Sequence, residues 1–402
     1  MTRAEVYGQT LRFFFAPVAD LLYDPAHDDV SEVMINGPDD IFFERDGKIE
    51  RAVGRRFADG EALMAAVRNL AEYVDRRIGD DIPAMDARLP EPEKFRVHVI
   101  VPPCARGGAC VTLRKFRRNN TTLAWLLQKG SITAAAAEYL TLAVRRKLNL
   151  IVSGGTGSGK TSLLNALSAA IPDEERVVVI EDSSELRLLS EVDPPAGRDR
   201  SDKPHAVYLE TRPPRPDGTG AVTIRDLFVN SLRMRPDRIL VGECRGAEAL
   251  DMLQAMNTGH DGSLTTLHAN SPRDVVQRLE TMCQMATKEL PVESVHRMVS
   301  SAVDLVVQLH AGVQAVTLPD GTVVRKKARV VSEVAEFVGL KPGGGIDIKT
   351  LFARPPEGGP LRPTGCLPTF LGDMIAAGLA PDPLAFVRDD PADPAAAPGG
   401  RA

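Results

Sequence analysis

The chain has 402 residues, of which 43% are hydrophobic, 26% charged and only 5% aromatic. That length suits two or three domains of ordinary size, and the hydrophobic fraction excludes a chain that is disordered throughout. The 49 Lys and Arg residues against 54 Asp and Glu give a net charge of −5, which argues against a general coat for nucleic acid because such proteins are basic.

No apolar run approaches the roughly 18 residues needed to cross a bilayer. The cysteines are few and scattered, without the paired spacing of a disulfide framework or a zinc site. They are Cys104, Cys110, Cys244, Cys283 and Cys366. We therefore expect a soluble protein of several domains from a reducing compartment.

Residues 1–116 mix strand-like and helical stretches, which predicts a small α+β domain. Residues 30–51 alternate apolar and polar positions around two turn signals, as in a strand–turn–strand unit. Residues 57–78 carry apolar side chains at helical spacing. Residues 95–103 and 109–116 resemble a pair of strands.

Residues 117–132 are predicted to be an interdomain linker, and residues 133–353 a second domain. Apolar strands alternate there with helical segments, which predicts an α/β fold with a mostly parallel sheet and crossover helices. The predicted strands are 148–155, 176–182 and 237–243, with helices at 134–148 and 162–171 and a short β unit at 323–352. Residues 191–220 are proline-rich and irregular, with a short strand at 206–210. Residues 354–402 are predicted to be a C-terminal extension that is partly disordered.

The sequence GGTGSGKT fits the phosphate-loop pattern G-x-x-x-x-G-K-[ST], with a strand before it and a helix after it. Glycines let successive backbone N–H groups turn toward phosphates. Lys160 can reach the β- and γ-phosphates, and the Thr161 hydroxyl can bind Mg²⁺. A glycine-rich helix cap would explain the glycines but not the Lys and Thr together. The predicted nucleotide-binding residues here are Gly154, Gly155, Thr156, Gly157, Ser158, Gly159, Lys160, Thr161 and Ser162.

The nucleotide is predicted to be ATP. No [NT]KxD guanine-specifying motif is present, and its nearest match, residues 287–290, lacks the aspartate. Acidic residues end both later strands: Glu181, Asp182 and Glu185 follow one, and Glu243 follows the other. Carboxyl ends of parallel strands line the ligand crevice, so one carboxylate could hold Mg²⁺ waters and another could polarise the attacking water. For each of these acids, capping a helix is the alternative to a role at the nucleotide, and this alternative is strongest for Glu185.

Two histidines lie in the segment TGHDGSLTTLHAN, residues 258–270. A neutral imidazole near the γ-phosphate could donate to it and sense its presence. A histidine satisfied within a turn is the alternative, and it fits His260 better than His268. A zinc site made with Cys283 fails on spacing and ligand number.

Several runs, in order and spacing, resemble the secretion ATPases of type II and type IV systems, most of all the Tad/Flp-type pilus assembly ATPases. The runs are GGTGSGKTSLLNAL, VVVIEDSSEL, VYLETRPP and TIRDLFVNSLRMRPDRILVGECRGAEALDMLQAMNTGHDGSLTTLHANSPRD. The resemblance covers roughly residues 28–353. It implies an N-terminal domain joined to a RecA-like ATPase domain, a homo-oligomeric ring of six, and nucleotide between the two domains of one subunit.

The resemblance also implies roles for single residues. Residues 154–161 correspond to the Walker A loop. Glu181, Asp182 and Glu185 correspond to an acidic box, with Asp182 beside the metal. Glu243 would activate water, and His260 and His268 correspond to a histidine box. Candidates for an arginine finger, each equally explained by a structural ion pair, are Arg114, Arg96, Arg233 and Arg245.

The function implied is an ATP-hydrolysing motor for pilus assembly or protein secretion. It would be cytoplasmic and act through an inner-membrane platform protein. A type IV secretion or conjugation ATPase, a nucleic-acid-translocating ATPase and a scaffold that barely turns over are the alternatives. A single tryptophan, Trp125, and the negative net charge argue against a stacking channel for DNA, so no nucleic-acid partner is expected. The basic clusters 114–118 and 145–147 are interpreted as solvated faces, with attraction to anionic lipid as the alternative.

Overall fold

The computed structural model describes residues 3–45, 48–90, 95–115, 121–188, 205–214, 218–317, 323–355, 358–376 and 378. The chain divides into two compact units, Met1–Asn119 and Asn120–Ala402. Parts of the predicted linker, of the irregular stretch 191–220 and of the C-terminal tail lie outside the described residues. Among the helices within these ranges, none has the length and apolar character to cross a bilayer.

The described residues of the first unit form one antiparallel sheet and three α-helices. The strands are β1 (Val30–Ile35), β2 (Ile41–Arg45), β3 (Lys48–Arg51), β4 (Ala84–Arg88), β5 (Arg96–Ile100) and β6 (Cys110–Arg114), in the order β3-β2-β1-β6-β5-β4. The helices are α1 (Arg3–Phe14), α2 (Ala19–Tyr23) and α3 (Gly60–Tyr73). The side chain of Asp59 caps α3 by accepting the Ala62 N–H. Apolar residues predicted to share one face of this helix, Leu63 and Leu70 among them, are buried. The predicted α+β domain is confirmed.

The second unit is built on a sheet of nine strands. They are β7 (Leu150–Gly154), β8 (Val177–Glu181), β9 (Ala206–Glu210), β10 (Arg238–Val241), β11 (Leu264–Leu267), β12 (Leu305–Thr317), β13 (Val323–Leu340), β14 (Ile346–Ala353) and β15 (Arg362–Pro363). Their order is β15-β14-β13-β12-β7-β11-β10-β8-β9. Neighbours from β9 to β12 are parallel, and those from β12 to β15 are antiparallel. The predicted mostly parallel sheet is confirmed.

Helices cover both faces of this sheet. They are α4 (Leu123–Gln128), α5 (Ala134–Arg145), α6 (Lys160–Ser168), α7 (Ile224–Ser231), α8 (Glu248–Met256), α9 (Pro272–Ala286), α10 (Val292–Ala302) and α11 (Leu371–Ala376). Leu150 and Val152 belong to the hydrophobic cluster of α4, α5 and α6, whereas Ile151 belongs to that of α7 to α10. Alternate residues of a strand point to opposite faces. Every residue of β7 is therefore buried, as in a parallel sheet with helices on both sides.

Residues 121–132, predicted to be linker, pack within the second unit. Leu126 and Ile132 are buried in the cluster of α4, α5 and α6, and the Thr122 hydroxyl caps α4 by accepting the Trp125 N–H. Burial of these two apolar side chains favours a fixed position over a free linker. Part of the predicted extension is also packed, because Leu371 and Met374 of α11 belong to the same cluster.

Candidate functional site

The loop between β7 and α6 requires glycine at two positions. A Cβ atom on Gly154 would lie 2.6 Å from Ser158 Oγ and 2.7 Å from the backbone oxygen of Leu309. Gly159 precedes α6 with a φ of +94°, in the left-handed region that other residues rarely adopt. The glycines therefore let the backbone close into a compact cradle at the amino terminus of α6, where N–H groups are available to an anion.

Two buried donors belong to this loop. Ser158 Oγ is buried and has no hydrogen-bond partner among the described residues. Lys160 is 7% exposed, and its Nζ donates to the backbone oxygens of Gly154 and Gly155, each at 3.0 Å. Burial lowers the pKa of Lys160, a shift that the charge of Glu243 opposes and that of Arg245 reinforces. A buried ammonium and an unpartnered hydroxyl are the groups that a bound phosphate would satisfy.

His268 lies beside the loop because of strand register. β11 pairs in parallel with β7, with Leu267 beside Ser153, so that His268 follows at the level of Gly154. Lys160 Nζ is 3.4 Å from both ring nitrogens of His268, and His268 Nε2 is 3.0 Å from Glu243 Oε1. The carboxyl ends of β7, β11 and β10 therefore bring Lys160, His268 and Glu243 into one cluster.

Arg245 joins this cluster to the acids that follow β8. Its Nη2 donates to Glu243 Oε2 at 2.5 Å, and its Nη1 is 3.6 Å from Asp182 Oδ2. Burial opposes ionisation of Glu243, but the hydrogen bond from Arg245 and the charges of Arg245, His268 and Lys160 lower the pKa of this carboxyl overall. Glu243 is therefore ionised at neutral pH and can accept a proton.

His268 is held in its neutral form. Burial and the charge of Lys160 lower its pKa, and the charge of Glu243 opposes them. A neutral imidazole carries one N–H and one free lone pair. It can donate a hydrogen bond to an incoming anion through that single N–H.

Glu181 is placed differently from the other acids. It is 5% exposed, and its Oε1 accepts the backbone N–H groups of Glu185 at 3.0 Å and Leu186 at 2.9 Å. A Cβ on Gly242 would lie 2.8 Å from Glu181 Cγ. These contacts hold the loop that carries Asp182 and Glu185 and pack it against the end of β10.

Glu181→Gln should flatten the pH dependence of stability. Burial raises the pKa of Glu181 to about 8, although two backbone N–H groups oppose the shift and nearby Glu185 and Glu210 reinforce it. Because the folded state then binds the proton more tightly, the free energy of unfolding falls as pH rises from about 4.5 to about 8. This carboxyl contributes a slope of at most about 1.4 kcal/mol per pH unit.

Denaturant unfolding of wild type and Glu181→Gln, repeated from about pH 5 to about pH 9, measures this contribution. Glu289→Gln, a change at an exposed carboxylate in the same unit, is the matched control and should follow wild type. Parallel profiles for wild type and Glu181→Gln would contradict the assignment.

The structure does not bring His260 and Arg233 to the phosphate loop. His260 precedes β11 and His268 follows it. This strand has 4 residues and is about 13 Å long at roughly 3.3 Å per residue. The two histidines are therefore separated by more than the length of the strand. Arg233 likewise precedes β10, whereas Glu243 follows it. Both therefore lie at the opposite edge of the sheet from the cluster around His268, and a role for His260 or Arg233 at the nucleotide stays a prediction.

Two further arginine candidates belong to the first unit. Arg96 and Arg114 face each other across β5 and β6, and Arg114 is also in register with Glu32 of β1. Burial raises the pKa of Glu32, and the charge of Arg114 opposes that shift. Arg114 thus has an acidic neighbour within its own unit. This fits the alternative that Arg114 forms a structural ion pair and is not an arginine finger.

The basic cluster 145–147 also lies at the edge opposite the phosphate loop. It lines an open cleft of about 530 Å³ whose walls include acids as well as bases. The lining residues are Arg145, Arg146, Lys147, Leu148, Asp261 and Asp304. The mixed charge fits the interpretation of this cluster as a solvated face.

Sequence reasoning missed two residues that support the site. Glu248 is buried, and its Oε1 accepts the backbone N–H groups of Arg245 at 2.7 Å and Gly246 at 2.8 Å. Gln308 accepts the Ser153 hydroxyl at 2.7 Å and donates to the backbone oxygen of Ala269 at 3.1 Å. An acid in the first turn of α8 could have indicated Glu248, whereas no local pattern indicates Gln308, which acts across strands.

The site combines a glycine cradle at a helix amino terminus with a buried lysine, an ionised carboxylate and a neutral imidazole at neighbouring strand ends. These groups define a P-loop ATPase on a RecA-like sheet. The chain belongs to the type II/IV secretion system protein family, whose model matches residues 16–320. Its activity is ATP hydrolysis in a secretion system, as the sequence predicted.

The relatives carry secretion and transfer names. A putative conjugal transfer protein of Mycobacterium tuberculosis is 40% identical over 259 residues, which are 63% of this chain and 70% of the relative. The type IV secretion system protein VirB11 of Brucella suis is 33% identical over 351 residues, 81% of this chain and 90% of the relative. The narrower similarity to Tad/Flp-type ATPases stays a prediction.

A solved structure supports the fold alone. The ATPase DotB of Legionella pneumophila has a TM-score of 0.50 at 18% identity, covering 84% of this chain and 81% of that one. At that identity the likeness extends to architecture and carries no residue roles.

Proposed function

We propose that this chain is the motor ATPase of a type IV secretion or pilus assembly system, working as a homo-oligomeric ring of six on an inner-membrane platform protein. The observation that carries the proposal is the cluster of Lys160, His268, Glu243 and Arg245 around the phosphate loop. The cluster supplies a phosphate anchor, a neutral donor, a base and a second cation close to one another. Phosphoryl transfer to water requires these groups.

Each member of the cluster has one role in the proposed reaction. Lys160 and the backbone N–H groups of residues 154–161 hold the β- and γ-phosphates. Ionised Glu243 takes a proton from the attacking water as the bond to the γ-phosphorus forms and the bond to the leaving ADP oxygen breaks. His268 donates to a γ-phosphate oxygen, and Arg245 neutralises charge on the transferring group.

The oxygen donors near the loop fit Mg²⁺. Among the described residues no group of three His, Cys, Asp or Glu side chains could hold a metal ion, so a cage made by protein alone is absent from these ranges. Mg²⁺ typically keeps several waters and takes one or two protein oxygens besides nucleotide phosphates. The Thr161 hydroxyl and the Asp182 carboxylate would hold it, and the ion would neutralise phosphate charge.

Buried Glu181 would keep the acid loop in place rather than touch the nucleotide, since both of its described hydrogen bonds go to that loop. Glu185 and Asp182 then stand near Arg245, whose pKa is raised mainly by its hydrogen bond to Glu243 and also by the charges of Asp182 and Glu185. These acids would keep Arg245 at hand until a phosphate competes for it.

The relatives favour secretion over a nucleic-acid motor, and they also support the narrower alternative of a conjugation ATPase, since one is named a putative conjugal transfer protein. The net charge of −5 further weakens the nucleic-acid alternative. Three parts of the proposal follow from the family resemblance: the ring, the platform partner and a position at the cytoplasmic face of the inner membrane.

A deletion strain complemented with wild type or with Glu243→Gln tests the proposal. We expect the deletion to abolish surface pili, protein secretion or conjugation, wild type to restore it, and Glu243→Gln to fail although the protein accumulates. Loss of conjugation alone would select the conjugation ATPase. Full restoration by Glu243→Gln would contradict a motor driven by hydrolysis. Stimulation of the purified ATPase by single-stranded DNA, lost at high salt, would favour the nucleic-acid motor.

A further inference from the structure

A cation that the proposed reaction does not use lies on the far side of the phosphate loop. β7 lies between β11, which carries His268, and β12. Leu309 of β12 is in register with Gly154, and Ala311, two residues further, is in register with Arg329 of β13. Arg329 therefore stands beyond the end of β7, at the level where the loop begins.

Its side chain approaches the start of α6. A Cβ atom built on Gly159 would lie 3.6 Å from Arg329 Cδ, so the aliphatic stem of Arg329 passes close to the residue that precedes this helix. The Arg329 side chain is exposed, and in the described part of the chain no carboxylate forms an ion pair with it.

This position is electrostatically unfavourable for an unpaired cation. The amino terminus of a helix carries partial positive charge, and Lys160 begins α6. A guanidinium without a carboxylate partner at such a place is stabilised by an anion that binds the helix terminus and the guanidinium together.

The two sides of the loop are chemically distinct. Glu243, His268 and Arg245 lie on the side of β10 and β11, where the proposed reaction breaks the bond to the γ-phosphate. Arg329 lies on the side of β12 and β13. A nucleotide whose γ-phosphate faces Glu243 therefore presents the phosphate nearest its sugar toward Arg329.

We propose that Arg329 binds the sugar-proximal phosphate that ATP and ADP share, and so sets nucleotide affinity without taking part in hydrolysis. The proposal rests on the function proposed above, since it requires nucleotide in the phosphate loop. The guanidinium forms a charge-assisted hydrogen bond equally in substrate and product. Such uniform binding affects KM and leaves kcat unchanged.

Titration of the full-length chain with ADP and with a non-hydrolysable ATP analogue tests this role. Arg329→Gln should weaken both nucleotides by the same factor, roughly tenfold or more, and raise KM for ATP without changing kcat. Arg329→Lys should recover part of the affinity because it keeps the positive charge. Recovery should be incomplete because lysine lacks the planar, forked donor geometry of the guanidinium. Arg297→Gln is the matched control: Arg297 is an exposed arginine of α10 whose Nε donates to the Glu293 carbonyl, and wild-type affinity is expected.

The outcomes separate this inference from the proposed function. Wild-type ADP affinity in Arg329→Gln, with normal binding by wild type, overturns the role of Arg329 alone. Weakened binding of the ATP analogue with unchanged ADP affinity also overturns it, because the contact would then be with the γ-phosphate. Failure of wild type to bind either nucleotide overturns the inference and the proposed function together. Since Arg329 is exposed and unpaired among the described residues, a thermal unfolding midpoint equal to or above that of wild type is expected and confirms that the variants fold.

Discussion

Lys160→Ala should lose ATP turnover by roughly 100- to 1000-fold or more, since it removes a preorganised positive charge from the transferring phosphate. The ammonium is buried and donates to the backbone oxygens of Gly154 and Gly155. No other lysine contacts the loop among the hydrogen bonds of the described residues. Phosphate release under saturating ATP, together with calorimetric titration of ATP, measures the effect.

The fold should tolerate this substitution. Burial lowers the pKa of Lys160, so the charged side chain opposes folding, and its removal should leave the unfolding midpoint equal to or above that of wild type. A raised midpoint with lost binding would show that the defect lies in the site. Persistence of turnover at the wild-type rate would refute the phosphate-loop assignment, and Lys341→Ala, at an exposed lysine paired with Asp347 at 3.7 Å, provides the matched control.

Glu243→Gln should separate binding from hydrolysis. The amide keeps an oxygen that can accept from Arg245 but cannot take a proton at neutral pH, so turnover should fall by roughly 100- to 10,000-fold. ATP affinity should remain within a few fold of wild type because the phosphates are held by the loop. Single-turnover measurement of phosphate release, beside equilibrium titration of ATP, distinguishes the two effects.

Glu289→Gln serves as the control for this second change, since Glu289 is an exposed carboxylate in the same unit. It should retain wild-type turnover. A Glu243→Gln enzyme that turns over normally would remove Glu243 as the base, and one that fails to bind ATP would place Glu243 in binding instead. The expected pattern, binding without hydrolysis, also supplies the variant needed for the complementation experiment.

The phosphate loop was predictable because its chemistry is contained in a contiguous stretch. Eight adjacent residues, 154–161, form the end of a strand, a turn and the start of a helix, and each residue type follows from local backbone geometry. Glu243 was predictable for a related reason: it ends an apolar run, and the carboxyl ends of parallel strands meet at one edge of a sheet.

The same reasoning could not assign His260 or Glu181. His260 and His268 lie within one short segment of the sequence, but the 4 residues of β11 lie between them and place them at opposite edges of the sheet. Glu181 ends its strand as Glu243 does, yet its side chain is buried against Gly242 and bonded to its own loop. The direction of a side chain at the end of a strand depends on how it packs against the neighbouring strand. A sequence pattern does not contain this information.

The sequence by itself therefore determined the class of the protein, a P-loop ATPase, because local spacing specifies the groups that phosphate chemistry needs. Its resemblance to the secretion ATPases indicated the family. Only the tertiary structure decided which of the candidate groups meet. The approach of Arg329 to Gly159 and the link from Gln308 to Ser153 join residues more than 150 positions apart. They arise from the register of β7, β12 and β13, which burial of a long-range core selects and which no local motif encodes.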